Sequence, residues 1–156
     1  MTDHRSTYTS SHPALSALDG VAHSGRDVLL LLARVMIGAV YVTSGWRKLM
    51  DLPAFVKTMP NRGLPEWLAY VAAPVEFVGG MLLILGLATA YAAVVMVVFT
   101  IVATLSTHNY WAYPLKDQGA QFVQFGKNNT MTGGLILLFL TGAGRFAIDA
   151  VLRRQR

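Results

Sequence analysis

Long runs of apolar residues alternate with short polar stretches along most of the chain, and they cover residues 28–48, 66–87, 89–107 and 129–146. Because about 20 apolar residues in a helix cross the roughly 30 Å of bilayer hydrocarbon, the first three runs predict transmembrane helices. The fourth run spans only if Asn129 and Arg145 lie at the headgroups. The pattern therefore predicts an all-α integral membrane four-helix bundle, with four transmembrane helices and both termini on the same side.

Composition supports this class of protein. The 156 residues are 54% hydrophobic and only 13% charged, which is far from the average of soluble domains. Residues 1–27 are rich in Ser, Thr, His and Gly, and we expect a disordered polar tail there. Residues 150–156 form a basic C-terminal tail. The net charge of +5 comes from basic residues that flank the spans, so it predicts a lipid bilayer as partner rather than nucleic acid.

The sequence predicts the orientation of the chain in the membrane less clearly than it predicts the spans. Basic residues divide evenly between the terminal side and the opposite side. The dense cluster Arg153-Arg154-Gln155-Arg156 favours cytoplasmic termini under the positive-inside rule. The opposite side then holds two longer connections, at residues 50–65 and 108–127. The second connection is aromatic, which is typical of a belt at headgroup depth, and the alternative is a lid over a site.

Two charged residues fall inside predicted spans. Arg34 lies about two turns into the first span and Glu76 lies near the middle of the second. An ionised side chain at such depth costs roughly 2.5–3.5 kcal/mol on insertion scales, so the two are expected to face each other or a wet cavity. We predict an intramembrane charge pair between them. It is either a structural pair that fixes helix register, or part of a proton relay or a ligand anchor.

Helical spacing extends this candidate site. A stripe on the first helix links Arg34 to Tyr41 and Lys48 at steps of three and four residues, which is the period of one helix face. His108 and Asn109 close the third span, and the imidazole of His108 can donate or accept a proton. Tyr41, Lys48, His108 and Asn109 are therefore candidates for a pocket or a proton path. No residue is assigned a catalytic role.

Metal and thiol chemistry gain no support from the sequence. The chain has no Cys, which removes thiol redox chemistry and Cys-ligated metals from its own repertoire. The four His residues, at positions 4, 12, 23 and 108, lack the spacing of metal ligands. The prediction is no metal site and no covalently bound cofactor.

Several short strings, taken in their order and spacing, resemble the DoxX family between about residues 29 and 149. They are Ala33-Arg34-Val35, Ser44-Gly45-Trp46-Arg47-Lys48-Leu49, Pro74-Val75-Glu76-Phe77-Val78-Gly79-Gly80, Leu85-Gly86-Leu87, His108-Asn109-Tyr110-Trp111, Gly133-Gly134-Leu135 and Gly142-Ala143-Gly144-Arg145-Phe146-Ala147-Ile148-Asp149. The chain departs from the family pattern at Ala88-Thr89-Ala90, where an Arg is often found, and at Ala143, which replaces a Pro.

The resemblance implies a small protein of the bacterial inner membrane, linked in some relatives to quinone-dependent oxidation and to oxidative-stress assemblies. The leading hypothesis is a membrane subunit of a quinone-linked redox system, with quinone as a non-covalent ligand. One alternative is a non-catalytic scaffold or assembly factor that holds protein partners at the membrane. Another is a small transporter, which with four helices requires a homo-oligomer.

Overall fold

The computed structural model describes residues 13–154, and the side chains of 18–154. The described chain is helical without strands. Its elements are α1 (Pro13–Met50), α2 (Leu52–Lys57), a 3-10 turn (Pro60–Arg62), α3 (Leu68–Leu85), α4 (Thr89–Thr107), a second 3-10 turn (Tyr110–Ala112), α5 (Leu115–Thr141) and α6 (Ile148–Arg154). The all-α prediction is confirmed for this part of the chain.

Helices α1, α3 and α4 are long and apolar enough to cross a membrane; the qualifying segments are Leu18–Met50, Leu68–Leu85 and Thr89–Ala112. Their outward faces carry large apolar side chains such as Met36 and Val98, which are 72% and 57% exposed. In water such faces would be an aggregation hazard, but in lipid they are solvated.

The predicted fourth span is not confirmed. Helix α5 ends at Thr141, five residues before the end of the predicted run. From Asn129 its apolar part has 13 residues, or about 20 Å at 1.5 Å per residue. Its first half is polar. The second half of α5 as a span, and the common side of the termini, stay predictions.

Helix extends into both segments that were predicted as tails. Helix α1 begins at Pro13, within the predicted disordered tail, and residues 1–12 of that tail lie outside the described chain. Helix α6 covers Ile148–Arg154, which includes most of the predicted basic tail.

Small residues bring α1 and α3 close together in antiparallel orientation. A Cβ at Gly38 would lie 2.8 Å from the carbonyl oxygen of Gly80, and a Cβ at Gly45 would lie 2.6 Å from the backbone nitrogen of Phe77. Glycines at such crossings let membrane helices approach closely. They fix which residues of α1 and α3 share a level, and the site depends on this register.

The other long helices complete the packing: α3 lies on α4, α4 on α5, and α5 on α1. Met96 of α4 packs against Gly79 of α3, and Met96 and Leu135 are fully buried in the core. The connection between α3 and α4 is tight. Gly86 ends α3 in the left-handed region, at φ +66°, and α4 starts three residues later. Helices α3 and α4 therefore form a helical hairpin.

Candidate functional site

A cavity of about 840 Å³ lies between the long helices at the end where α1 finishes and α3 begins. Helix α2 and the first 3-10 turn border it. Three of the four candidates for a pocket or proton path line it, namely Tyr41, Lys48 and His108, together with Glu76. Other polar lining residues are Ser44, Arg47, Asp51, Thr58, Arg62, Thr100, Ser106, Thr107, Gln124, Lys127 and Asn128. Asn109 and Arg34 do not line this cavity.

An ion pair between Lys48 and Glu76 sits in the cavity wall. Lys48 lies in the last turn of α1, and Glu76 follows the helix-interior Pro74 of α3. The Glu76 side chain is only 7% exposed and that of Lys48 29%. The Lys48 ammonium also lies 5.2 Å from the ring centroid of Phe55 in α2, a cation–π distance. Lys48 therefore compensates the negative charge of Glu76, and the ion pair borders the open cavity.

The predicted pair between Arg34 and Glu76 is wrong. Glu76 bonds to Lys48, and Arg34 donates from Nη2 to the carbonyl oxygen of Phe146 at 2.6 Å. The reason is the register of α1 on α3. Arg34 touches the position of Gly86, ten residues beyond Glu76, which is about 15 Å along a helix. An Arg side chain does not cover that separation as well as the distance between the helices.

Arg34 instead ties three segments together at the end of the molecule remote from the cavity. Its side chain is fully buried and touches Gly86 so closely that a Cβ there would collide with Nη1. Nearby, Asp149 accepts hydrogen bonds from the backbone nitrogens of Ala88 at 2.8 Å and Thr89 at 2.9 Å. These bonds cap the start of α4, where the helix dipole favours a negative charge.

The pKa of the Asp149 carboxyl is set by opposing effects of burial and hydrogen bonding. Partial burial raises its pKa, but the hydrogen bonds from Thr89 and Ala88 and the charge of Arg153 outweigh burial, so the pKa lies below its ordinary value. Its own backbone nitrogen donates to Gly86 at 2.9 Å. The ionised carboxylate thus joins α6 to the α3–α4 turn.

A hydrogen-bonded chain of hydroxyls and an amide forms part of the cavity wall. The Tyr41 hydroxyl lies 2.5 Å from Oγ1 of Thr100, which donates to the carbonyl of Met96 at 2.6 Å. Nδ2 of Asn128 donates to Oγ1 of Thr104 at 2.9 Å. Tyr41 and Thr100 are buried, so these bonds hold polar groups at fixed positions in an otherwise apolar region.

The opening of the cavity is rich in cations. Arg47, Arg62 and Lys127 line it and are exposed, and Asp51 is the exposed acid among the lining residues. His108 is half-buried, and its Nδ1 lies 2.8 Å from Oε1 of Gln121. The sequence analysis missed Lys127 and Asn128 because it placed Lys127 in the connection 108–127 and left Asn128 just before the predicted fourth span. The structure continues α5 back to Leu115, which puts both residues on a helix beside α4.

The aromatic part of that connection folds on itself. The Tyr110 ring packs edge-on against Trp111, Phe122 and Phe125, with centroids 5.1–5.6 Å apart. Trp111 and Phe122 remain 57% and 58% exposed. The cluster lies beside the His108 end of α4, and none of its rings lines the cavity. This arrangement favours the headgroup belt over the lid.

Within residues 13–154, no group of three or more His, Cys, Asp or Glu side chains is arranged to hold a metal ion.

The chain is similar in sequence to known proteins over most of its length. The DoxX family model matches residues 29–109. The inner membrane protein YqjF of Escherichia coli is 30% identical over 129 residues, 83% of this chain and 95% of the relative. The inner membrane protein YphA of the same organism is 30% identical over 128 residues, 81% of this chain and 91% of the relative. No solved structure matches the chain.

A protein with transmembrane helices around a partly polar cavity is a multi-pass membrane protein, and the names of the two relatives support a place in the inner membrane. The chain belongs to the DoxX family. A further relative is "Putative oxidoreductase CatD" of Bacillus subtilis, 35% identical over 63 residues, which are 40% of this chain and 47% of the relative.

Proposed function

We propose that this protein is the membrane subunit of a quinone-linked redox system, and that the cavity binds the quinone head group. The observation that carries the proposal is the Lys48–Glu76 ion pair in the wall of a cavity of about 840 Å³ between the long helices. Ligand sites in proteins measure about 300–1,000 Å³, with mostly apolar walls and a few placed polar groups. Ionisable residues within membrane helices are costly to insert, and they usually mark functional sites.

The residues in the cavity fit a quinone head group. Its flat ring is apolar on both faces, and Val75, Phe99 and Met131 supply apolar wall. Its ring oxygens accept hydrogen bonds, and the Lys48 ammonium and the second Nδ2 proton of Asn128 can donate to them. A bound quinone takes up two electrons and two protons to form a quinol. The electrons come from a partner protein or another donor, because the chain itself has no thiol.

The chain's own residues would hold the ligand and manage protons. Lys48 can donate to a ligand oxygen with one ammonium proton while another stays on Glu76. Glu76 can take up a proton when Lys48 turns to the ligand. His108 is half-buried and lines the same cavity, and an imidazole can donate or accept a proton. The name of the partial relative CatD adds associational support for oxidoreductase chemistry.

Quinone binding to the purified chain in lipid nanodiscs tests this proposal. We expect saturable binding that falls at least about tenfold in Glu76→Gln, the equivalent of 1.4 kcal/mol. Glu66→Gln is the matched control, because Glu66 is exposed and does not line the cavity. Absence of binding to the native chain, or equal binding by both variants, contradicts the proposal. The scaffold hypothesis then becomes the better account.

Membrane orientation belongs to the same proposal. We propose cytoplasmic termini, so that the cavity opens toward the opposite face. The chain has no Cys, so single cysteines report unambiguously. Gly20 and Gly119 have open space where a Cβ would be added, which suits Gly20→Cys and Gly119→Cys. A membrane-impermeant maleimide should label Gly119→Cys from outside intact spheroplasts and Gly20→Cys only after permeabilisation. The reverse pattern contradicts this orientation.

A further inference from the structure

The cavity is a cleft between two pairs of helices. Helices α1 and α3 stay in contact at its level, since a Cβ at Gly45 would lie 2.6 Å from the backbone nitrogen of Phe77. Helices α4 and α5 also stay together there, through the 2.9 Å hydrogen bond from Asn128 to Thr104. Residues of all four helices line the space between the two pairs. The cleft therefore has two lateral edges, one between α3 and α4 and one between α1 and α5.

The edge between α3 and α4 is closed at one level and open beyond it. These two helices form a hairpin, and they touch where Met96 packs against Gly79. From that contact toward the cavity end, lining residues continue along α3 as far as Leu68 and along α4 as far as Thr107. Because two facing helices both line the same space over this stretch, the space separates them there.

Val71 of α3 lies at the boundary between the cavity wall and the outer face of the helix. It lines the cavity and is 49% exposed. It shares a helical stripe with Trp67 and Val78, which are exposed and lie outside the cavity lining. One side of Val71 therefore continues the lipid-facing surface of α3.

Val102 lies at the matching boundary of α4. It lines the cavity and is 51% exposed, and its exposed neighbours on the same face, Val98 and Leu105, lie outside the lining. Counted from the closed contact described above, Val71 lies eight residues along α3 and Val102 six residues along α4, which are about 12 Å and 9 Å. The two valines thus flank the open edge at nearly the same level.

The two lateral edges differ in polarity. On α3 the lining residues before Glu76 are aliphatic. On α4 the hydroxyls of Ser106 and Thr107 donate to carbonyl oxygens of their own helix at 2.7 Å, so their protons are already used. The edge between α1 and α5 instead carries the exposed cations Arg47 and Lys127. An alkyl chain can cross the first edge without displacing the hydration of a charge.

The open edge also lies at the depth of the acyl chains. Val71 and Val102 fall within the segments Leu68–Leu85 and Thr89–Ala112, which are long and apolar enough to span the membrane. The exposed Trp67 belongs to the residue type that lies at headgroup level, and Val71 is four residues further into the span, about 6 Å deeper. The gap between the two valines therefore faces hydrocarbon rather than water.

We propose that the edge between α3 and α4 is a lateral entrance, through which the cavity takes a ligand with a long apolar tail directly from the bilayer. The head group lies in the cavity beside Lys48, and the tail leaves between Val71 and Val102 into the lipid. This rests on the function proposed above and narrows its ligand class to quinones with an alkyl or isoprenoid tail. The tail of such a quinone stays in hydrocarbon throughout, so binding requires no transfer of the tail through water.

Binding of two probes to the chain in lipid nanodiscs tests the entrance. One is a decyl benzoquinone and the other has the same ring with a methyl group in place of the decyl chain. Val71→Trp and Val102→Trp each fill the gap, and we expect affinity for the decyl probe to fall about tenfold, as for an overpacked contact. Affinity for the methyl probe should stay within about twofold, because its ring lies deeper in the cavity.

Val78→Trp and Val95→Trp are the matched controls. Each lies two turns from its partner variant on the same helix, is exposed, and does not line the cavity, so both should bind the two probes like the native chain. Native decyl affinity in Val71→Trp and Val102→Trp overturns the entrance while leaving the proposed function intact. An equal loss for both probes overturns the assignment of the tail. Failure of the native chain to bind either probe overturns the entrance and the proposed function together.

Photolabelling of the native chain gives a readout that does not depend on the folding of a variant. The probe is a decyl benzoquinone with a diazirine on the tail carbon nearest the ring. We expect its adducts on α3 and α4, at or beside Val71 and Val102. Adducts concentrated instead on α1 and α5, at or beside Val40 and Lys127, which also line the cavity, overturn the entrance.

Discussion

The two charged sites of this membrane protein lie at opposite ends of the α1–α3 contact and are built in opposite ways. At one end, Arg34 is fully buried and packed against backbone, with the carbonyl of Phe146 as its acceptor. At the other end, Lys48 and Glu76 pair beside an 840 Å³ cavity. A charge enclosed by backbone holds segments together, whereas a charge pair beside open space can meet a ligand. We therefore propose a structural role for the Arg34 end and a functional role for the cavity end.

The largest expected effect comes from a substitution at the Arg34 end of the molecule. Gly86→Ala places a Cβ into Arg34 and against Ala147, at a backbone φ of +66°. We expect a loss of about 3 kcal/mol in the free energy of unfolding, from left-handed strain and overpacking together. Unfolding by denaturant in detergent micelles, monitored by circular dichroism, measures it.

Gly63→Ala separates these two causes. Gly63 has nearly the same φ, +67°, but nothing lies within 4 Å of its added Cβ. It should cost only the strain, about 1 kcal/mol. Equal losses in the two variants would show that the collision between the added Cβ and Arg34 does not lower the free energy of unfolding.

The next effect concerns the cavity end. Lys48→Met leaves Glu76 without its cation in a place where its side chain is 7% exposed. Because Lys48 itself is partly exposed, we expect a loss of about 2 kcal/mol, below the 3–5 kcal/mol of fully buried pairs. Glu76→Gln in the same chain should restore much of it, since the buried charge is removed. Lys57→Met, at an exposed position outside the cavity lining, is the control. A double variant less stable than the single one argues against the pair.

The smallest effect is a pH dependence at the enclosed end. The pKa of Asp149 is lowered in the folded chain, so its stabilising contribution is present above the ordinary carboxyl pKa of about 4 and is lost as pH falls through the folded value. Asp149→Asn should cost about 1 kcal/mol at neutral pH, as for loss of a helix cap. It should also flatten the loss of stability on acidification. Asp19→Asn, at an exposed residue, should keep the native acid profile. Parallel profiles for native chain and Asp149→Asn would contradict this role.

These contrasts show which features a single sequence encodes. The apolar runs predicted the helical class and the bounds of α3 and α4 to within two residues, because hydrocarbon thickness sets span length. The predicted stripe on α1 did include Tyr41 and Lys48, two residues of the cavity wall.

Residue pairing was not encoded in the same way. The sequence analysis paired Glu76 with Arg34 because two consecutive spans run in opposite directions, which was expected to put the two residues at similar depth. The register of α1 on α3 is set by close contacts at Gly38 and Gly45. The sequence alone does not show which residue of another helix such a glycine contacts. Asn128 was missed because the polar first half of α5 resembles a connection. Continuity of that helix depends on its packing against α4, which only the structure supplies.

Photoaffinity labelling with an azido-quinone in lipid nanodiscs tests the central claim most directly, because it reports where the ligand lies. We predict adducts on cavity-lining segments, at residues such as Ser44, Val71 and Met131, that excess unlabelled quinol suppresses. Adducts confined to lipid-facing residues such as Val98 and Leu140, which are 57% and 71% exposed, or labelling that competitor leaves unchanged, would contradict a quinone site in this cavity.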